Sequence, residues 1–423
     1  MEKHYDMWEE LGLDLERHDE FLAPLPEIYK DLFIEQENRA EGMEYYDFVV
    51  GDIHGIRVKE LREEKAKGNP VISSFCVFVP DELITAAGGA SIGLCAGAQM
   101  PVQSGEQELG NSDICPLIKS SVGFKMEKIC PYFEVSDFVV GETTCDGKKK
   151  AWEILDEHIP TYVMELPNTK SPAARKLWRS EIERFKEEIE DVSGREIKAE
   201  KLSAAIDLIN QKRDVLQRLY DTRKADAVPI SGKDALLITQ LAFFDDPERF
   251  IEKTSALCDE LERRIEEGES VAEEGAPRIL IAGTPMPLPS WKMHSLIEGN
   301  GGVVVCEETC TGTRYFESKV PAGGETVEEQ LDNLAQRAMN INCACFTPND
   351  DRVDDVINLA EEYDVDGVVY YNLQFCQTYD LEYNKISEAL KERGIPVTQI
   401  ESDFSESDTG QLNTRIQAFL EMI

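Results

Sequence analysis

Short apolar runs bounded by turn residues alternate with helix-spaced stretches along most of this 423-residue chain. "NPVISSFCVFVP" (69–80), "ASIGLC" (90–95), "DFVVGETTC" (137–145) and "PTYVMELP" (160–167) have the length and β-branched content of buried strands. Between them "DELITAAGG", with Asp81 as a candidate N-cap, "CPLIKSSVGF" and "GKKKAWEILDEH" carry helical spacing. A β-α-β-α-β order requires a parallel sheet with helical crossovers. The alternation resumes at Arg278. "RILIAGTP", "GVVVCEE", "GVVYYNLQFC" and "PVTQIE" read as strands, interleaved with helical stretches from "SWKMHSLIEGNG" to the closing "TGQLNTRIQAFLEMI".

Two other stretches differ. Residues 1–45 read as short amphipathic helices broken by Pro24 and Pro26, and residues 170–270 have helical periodicity with almost no strand signal. The expected fold class is therefore α/β: two doubly wound, flavodoxin- or Rossmann-like parallel-sheet domains. The boundaries expected are 1–45 for the N-terminal helices, 46–168 for the first α/β domain, 169–275 for a helical connecting segment and 276–423 for the second α/β domain.

Charge narrows the function. Eighty-three acidic against 44 basic residues give a formal charge of −39. Such a surface repels nucleic acid and anionic membranes, so neither is an expected partner. No apolar run reaches the length of a membrane span, and "MEKHYDMWEELGLDLERHDE" is not a signal peptide, so a soluble, cytoplasmic protein is expected. In that setting the 11 cysteines point to metal binding or catalysis before disulfides. The five histidines have no zinc-like spacing.

Ligands of an open parallel sheet bind outside the carboxyl ends of its strands. Cys95, Cys145, Cys306, Cys310 and Cys376 all follow or end predicted strands, Cys115 opens a helix, and Cys345 sits in the loop "NINCACFTPND". Cys76 inside "SSFCVF" and Cys258 inside "ALCDEL" are expected to be small buried hydrophobes. Cys130 and Cys343 complete a set of nine candidate thiols. The chain has no CxxC, so it lacks the knuckles of zinc ribbons and the runs of ordinary ferredoxins. Single thiols gathered from distant loops suit an iron–sulfur cluster lodged between domains. Structural thiols and redox sensing are the alternatives.

"ASIGLCAGAQ", "CPLIKSSVGF", "GETTCDGKKK", "EETCTGTRYF", "CACFTPN" and "NLQFCQTYDLE" together carry a family likeness. They resemble the 2-hydroxyacyl-CoA dehydratase and benzoyl-CoA reductase superfamily, and within it the double-cubane cluster proteins, from about residue 45 to the end. The resemblance implies a reductase whose 8Fe–9S double cubane delivers low-potential electrons to a small, hard-to-reduce molecule. A 2-hydroxyacyl-CoA dehydratase or aryl-CoA reductase subunit with one 4Fe–4S cluster is the first alternative, and a non-enzymatic electron carrier the second. The implied ligands are Cys95, Cys145 and Cys376 for one cubane and Cys115, Cys310 and Cys345 for the other. Cys306 stands as the alternative to Cys310, Cys343 as the alternative to Cys345, and Cys130 as an accessory thiol.

The same likeness implies a separate ATP-hydrolysing iron–sulfur activator and a homodimer. The chain has no Walker A loop of its own: Gly232-Lys233 is followed by Asp234, and Ala227 stands where the first glycine belongs. Around the thiols, Glu142, Glu308, Lys119 and Gln374 are the candidates for proton donation or substrate contact. Gln99, Lys149 and Arg314 are the candidates for cofactor contact. His294 is a further proton-donor candidate, weighed against a structural role.

Overall fold

The computed structural model describes residues 4–94 and 96–423. Among these residues, eight strands form two four-stranded, wholly parallel sheets. The first contains β1 (Val71–Ser74), β2 (Ala90–Gly93), β3 (Phe138–Glu142) and β4 (Thr161–Met164), in the order β2-β1-β3-β4. The second contains β5 (Arg278–Gly283), β6 (Val303–Glu308), β7 (Gly367–Leu373) and β8 (Val397–Ser402), in the order β6-β5-β7-β8. The α/β class and the paired sheets are those expected from the alternating pattern. The two orders are the same, so each sheet reverses its winding at its first strand and opens a crevice there.

Strand composition follows from burial on both faces. β1, β3, β6 and β7 are buried at every position, as parallel strands covered by helices on two sides must be. The helices start where their caps predict. Ser171, Ser231 and Asp246 each accept a backbone N–H from the first turn, and Thr326 with Glu329 forms a full capping box.

Four helices, Pro172–Ser193, Ala199–Thr222, Gly232–Leu241 and Pro247–Glu267, fill the segment between the sheets in sequence. One continuous apolar core joins them to both sheets, through residues such as Ile72, Val140, Trp178, Leu216, Leu280 and Val369. Two buried ion pairs fix the same junction: Arg213–Glu82 at 2.7 Å and Arg223–Glu307 at 2.8 Å. A buried pair of this kind adds little net stability but makes loss of either partner costly, which favours one arrangement of the two sheets. The N-terminal helices Tyr5–Leu11, Leu15–Leu22 and Leu25–Tyr29 are present, and a second apolar core lies between the first two of them and the first sheet, around Trp8, Phe21, Val139 and Trp152.

Three expected details are corrected. β1 stops at Ser74, so Cys76 lies beyond the strand instead of inside it. The reason is its partners: Ser74 pairs with Gly93, the last residue of β2, and with Val140 of β3, and no ladder remains to extend it. β6 runs to Glu308, as "GVVVCEE" reads, with Ala282 of β5 still pairing there, so Cys306 does not end the strand as expected. Cys306 is therefore inside β6, an edge strand of the sheet, and is fully buried. Helices Glu44–Gly51 and Ile56–Ala66 precede β1 in a stretch where no helix was expected.

Candidate functional site

The carboxyl ends of both sheets face one cavity of about 490 Å³. Cys76 follows β1, Cys145 follows β3, Cys310 follows β6 and Cys376 follows β7, and all four line it. Among the described residues, Cys115, Cys343 and Cys345 complete its sulfur lining. Seven thiols from distant loops thus share one chamber. Cys95 lies outside the described residues.

The thiols fall into two groups. Cys115 hydrogen-bonds Cys376, and both feel the charge of Cys145 or lend it theirs. Cys76 hydrogen-bonds Cys310, Cys343 hydrogen-bonds Cys345, and Cys310 faces Cys343. The first group sits on helix N-termini. Cys115, Cys145 and Cys376 are the N-cap residues of Pro116–Met126, Asp146–Leu155 and Gln377–Glu392. Helix starts present unpaired N–H groups and a positive dipole end, which favour a thiolate. Cys145 Sγ accepts the Lys148 backbone N–H at 3.4 Å. Cys115 is held below the ordinary thiol value by its bond with Cys376 and by the Leu117 and Ile118 N–H groups, against burial. Phe375, just before Cys376, has φ of 62°, a left-handed conformation unfavourable for an aromatic residue, at the turn that carries the thiol to the cavity.

Close helix packing aims the first group. Gly105 and Gly123 let the helices Val102–Leu109 and Pro116–Met126 touch backbone to backbone, where a Cβ on Gly123 would fall 1.8 Å from the Pro101 carbonyl oxygen. That contact seats the helix that begins beside Cys115.

The second group is tuned by Arg314. Its guanidinium is buried and donates to Cys310 Sγ at 3.5 Å, to the Gly283 carbonyl at 2.7 Å and to Tyr379 Oη. Glu308 anchors it from behind and also binds Arg352 at 2.7 Å. Burial alone would raise the Glu308 pKa, but Arg314 and Arg352 hold it below the ordinary carboxylate value. The ion pair with Glu308 holds the Arg314 guanidinium in place. Cys343 is pushed down to about 5 by its bond with Cys345, with Arg314 and Tyr379 assisting against burial. Tyr379 Oη lies 3.5 Å from Cys343 Sγ and lines the cavity. It was not singled out in the sequence, because its partners Arg314 and Cys343 are far from it along the chain.

The remaining candidates spread widely. Glu142, at the end of β3, is fully buried with Lys148 Nζ 3.6 Å away. Burial pushes its carboxyl up, and Lys148 opposes this. Lys149 lines the cavity mouth and pairs with Asp146 at 2.6 Å. Lys119 points away: it binds the Ser112 carbonyl at 2.8 Å and Glu106 at 3.3 Å, with the Phe375 ring 5.9 Å off. Gln99 is exposed and Gln374 half-buried, and neither is among the residues lining the cavity. His294 is buried and bound to Glu307 at 2.8 Å, beside Arg223 and away from the thiols. Cys130 lines a separate chamber, and Cys258 is packed in its helix as expected. Replacing Lys149 by Ala is expected to leave the thermal midpoint unchanged in a melting curve, because its charge is solvated and touches no thiol directly.

Among the described residues no three His, Cys, Asp or Glu side chains close on a single point. The thiols instead ring a chamber. An all-thiol donor set, arranged in two groups with N–H and guanidinium donors on the sulfurs, fits the ligation of iron–sulfur clusters.

The family model described as 2-hydroxyglutaryl-CoA dehydratase, D-component, matches residues 76–423. YjiM of Escherichia coli (strain K12), which carries the name of a dehydratase subunit, is 40% identical over 371 residues, covering 87% of this chain and 94% of its own. The (R)-phenyllactyl-CoA dehydratase beta subunit of Clostridium sporogenes is 23% identical over 377 residues, covering 86% and 94%. A benzoyl-CoA reductase subunit of Thauera aromatica is 21% identical over 343 residues, covering 79% and 86%.

Proposed function

The chain belongs to the 2-hydroxyglutaryl-CoA dehydratase D-component family, and from that premise we propose that it is an iron–sulfur reductase holding two linked cubanes in the thiol cavity. The observation that carries this reading is the pair of thiol groups around one chamber. A single cubane of the dehydratase type needs about three thiolates, and this cavity offers more than twice that. In this reading Cys115, Cys145 and Cys376 serve one cubane, with Cys95 as the further candidate from the sequence. The other draws on Cys310 and Cys345, with Cys76 and Cys343 beside them.

Bound there, such a cluster supplies electrons at low potential. The protein's own groups prepare the chamber. The Lys148 N–H on Cys145 and the Arg314 guanidinium on Cys310 place donors on sulfurs, and the positive ends of three helices at Cys115, Cys145 and Cys376 lower the cost of gathering negative charge. Lys148 and Lys149 add positive charge at the Cys145 side. Glu142, its carboxyl pushed up by burial against the pull of Lys148, lies close behind the wall. Phe75, Phe243, Leu288 and Phe375 exclude water from the rest of the surface. Electrons come from a separate ATP-hydrolysing activator in this reading, and the working unit is a homodimer. No described helix is long and apolar enough to cross a membrane.

The names of the relatives favour one second reading: a subunit of a 2-hydroxyacyl-CoA dehydratase or aryl-CoA reductase, acting with a second subunit and one 4Fe–4S cluster. An anaerobic iron and sulfide count per chain separates the two. About eight irons are expected for the proposal and about four for the dehydratase type. Turnover with an activator separates either enzyme from an electron carrier. An iron-free protein that reduces its substrate at full rate overturns both readings.

A further inference from the structure

A second chamber of about 70 Å³ adjoins the thiol cavity. Gly93, Phe244 and Leu288 line both, so the two share a wall. Gly93 brings that wall in tightly: a Cβ there would come 2.8 Å from Phe243 Cβ. Phe244 also lines a third pocket of about 90 Å³, beside the exposed Phe48. The three spaces therefore meet around one aromatic ring, from the surface to the thiols.

Among the described residues, the walls of the second chamber have no charge. Phe21, Leu25 and Tyr29 face it from the N-terminal helices, Val50 from the helix Glu44–Gly51, and Phe124 and Trp291 from the opposite side. Their polar tips are engaged elsewhere. Tyr29 Oη donates to Asp47 at 2.6 Å, and Trp291 Nε1 donates to Gln240 Oε1 at 2.9 Å. Tyr132 Oη, on the same wall, donates to the Ile53 carbonyl at 2.6 Å. His54 shares a 2.9 Å bond with His18, and burial pushes both imidazoles down, so they stay neutral. Burial raises Cys130 to about 12, so it stays a thiol.

Size selects the occupant. An apolar cavity of about 150 Å³ stays dry and takes benzene or xenon, so this space admits about two to four non-hydrogen atoms. We propose that the chamber is a binding site for a small, neutral, apolar molecule, held by aromatic faces next to the thiols. Its standing as an antechamber rests on the thiol cavity being the reaction centre; its occupancy does not.

Xenon alone is the probe, applied under pressure to crystals of the full chain. The expected result is a xenon peak between Phe21, Phe124 and Trp291 in the unaltered protein, with occupancy at least about fivefold lower in Val50→Phe and Leu25→Phe, whose larger side chains fill the space. Two variants are used so that misfolding of one, read by circular dichroism, leaves the other. In Phe244→Ala, which removes the partition, xenon density is expected to extend toward Cys115 and Cys376. No peak in the unaltered protein, or an unchanged peak in both filled variants, overturns the proposal. Xenon in place in a protein that binds no iron supports the chamber and refutes the reductase reading.

Discussion

Cys145→Ala is expected to strip about half or more of the iron from anaerobically isolated protein and to abolish activator-coupled reduction. The argument starts with the strand. β3 ends at Glu142, and three residues later Cys145 caps the helix Asp146–Leu155, with the Lys148 N–H on its sulfur at 3.4 Å. Gly147 lets that helix begin against its neighbour, since a Cβ there would press to 2.9 Å from Ile118 Cδ1. The same neighbour carries Cys115 at its start. Cys145, Cys115 and Cys376 thus form one constellation, and a cubane held by about three protein bonds does not survive the loss of one with its iron intact. The fold is expected to survive, because Cys145 is only partly buried and packs at the margin of the second core. Iron analysis, sulfide analysis and turnover decide the matter. Full iron occupancy in Cys145→Ala removes the residue from the ligand set and makes its cap purely structural.

The fold was legible because its signal is local. Apolar runs, caps and turn residues mark parallel strands and crossovers without reference to distant contacts, and six of the expected site cysteines fell at strand ends, helix starts or interhelical loops for that reason. Of these, Cys115, Cys145, Cys310, Cys345 and Cys376 line the cavity, and Cys95 lies outside the described residues. What failed was non-local. "SSFCVF" reads as one strand, yet a strand ends where its ladder partners end, and Gly93 ends the ladder at Ser74. That fact, absent from the pattern, turns Cys76 from a core thiol into a cavity thiol. Glu308 looked like an acid beside a thiol. Arg352, 44 residues further on, makes it the anchor of a buried guanidinium pair. Gln99, Gln374 and Lys119 sit in motifs that neighbour the site, but residue type and proximity in sequence do not fix which way a side chain turns.

The sharpest test of this distinction is the pair Cys306 and Cys310, which the sequence left open. Cys310→Ala is expected to lose about half the iron and the ability to complete reduction, while Cys306→Ala keeps full iron and costs about 1 kcal/mol of stability. Four residues separate them, but β6 carries the first into the core and releases the second into the cavity. Cys306 is fully buried, and burial raises its pKa well above the ordinary thiol value, so it remains a neutral, inert thiol. Cys310 is held below that value by its bond with Cys76 and by the Arg314 guanidinium, against burial. Removing its sulfur does not orphan Arg314, which keeps Glu308, Tyr379 and the Gly283 carbonyl. Iron loss in Cys310→Ala therefore reports ligation and not collapse, and an unchanged thermal midpoint of the iron-free protein verifies this. Equal iron in the two variants, or loss in Cys306→Ala alone, places the second group of ligands elsewhere and breaks the link between strand ends and cluster ligation on which the proposed function stands.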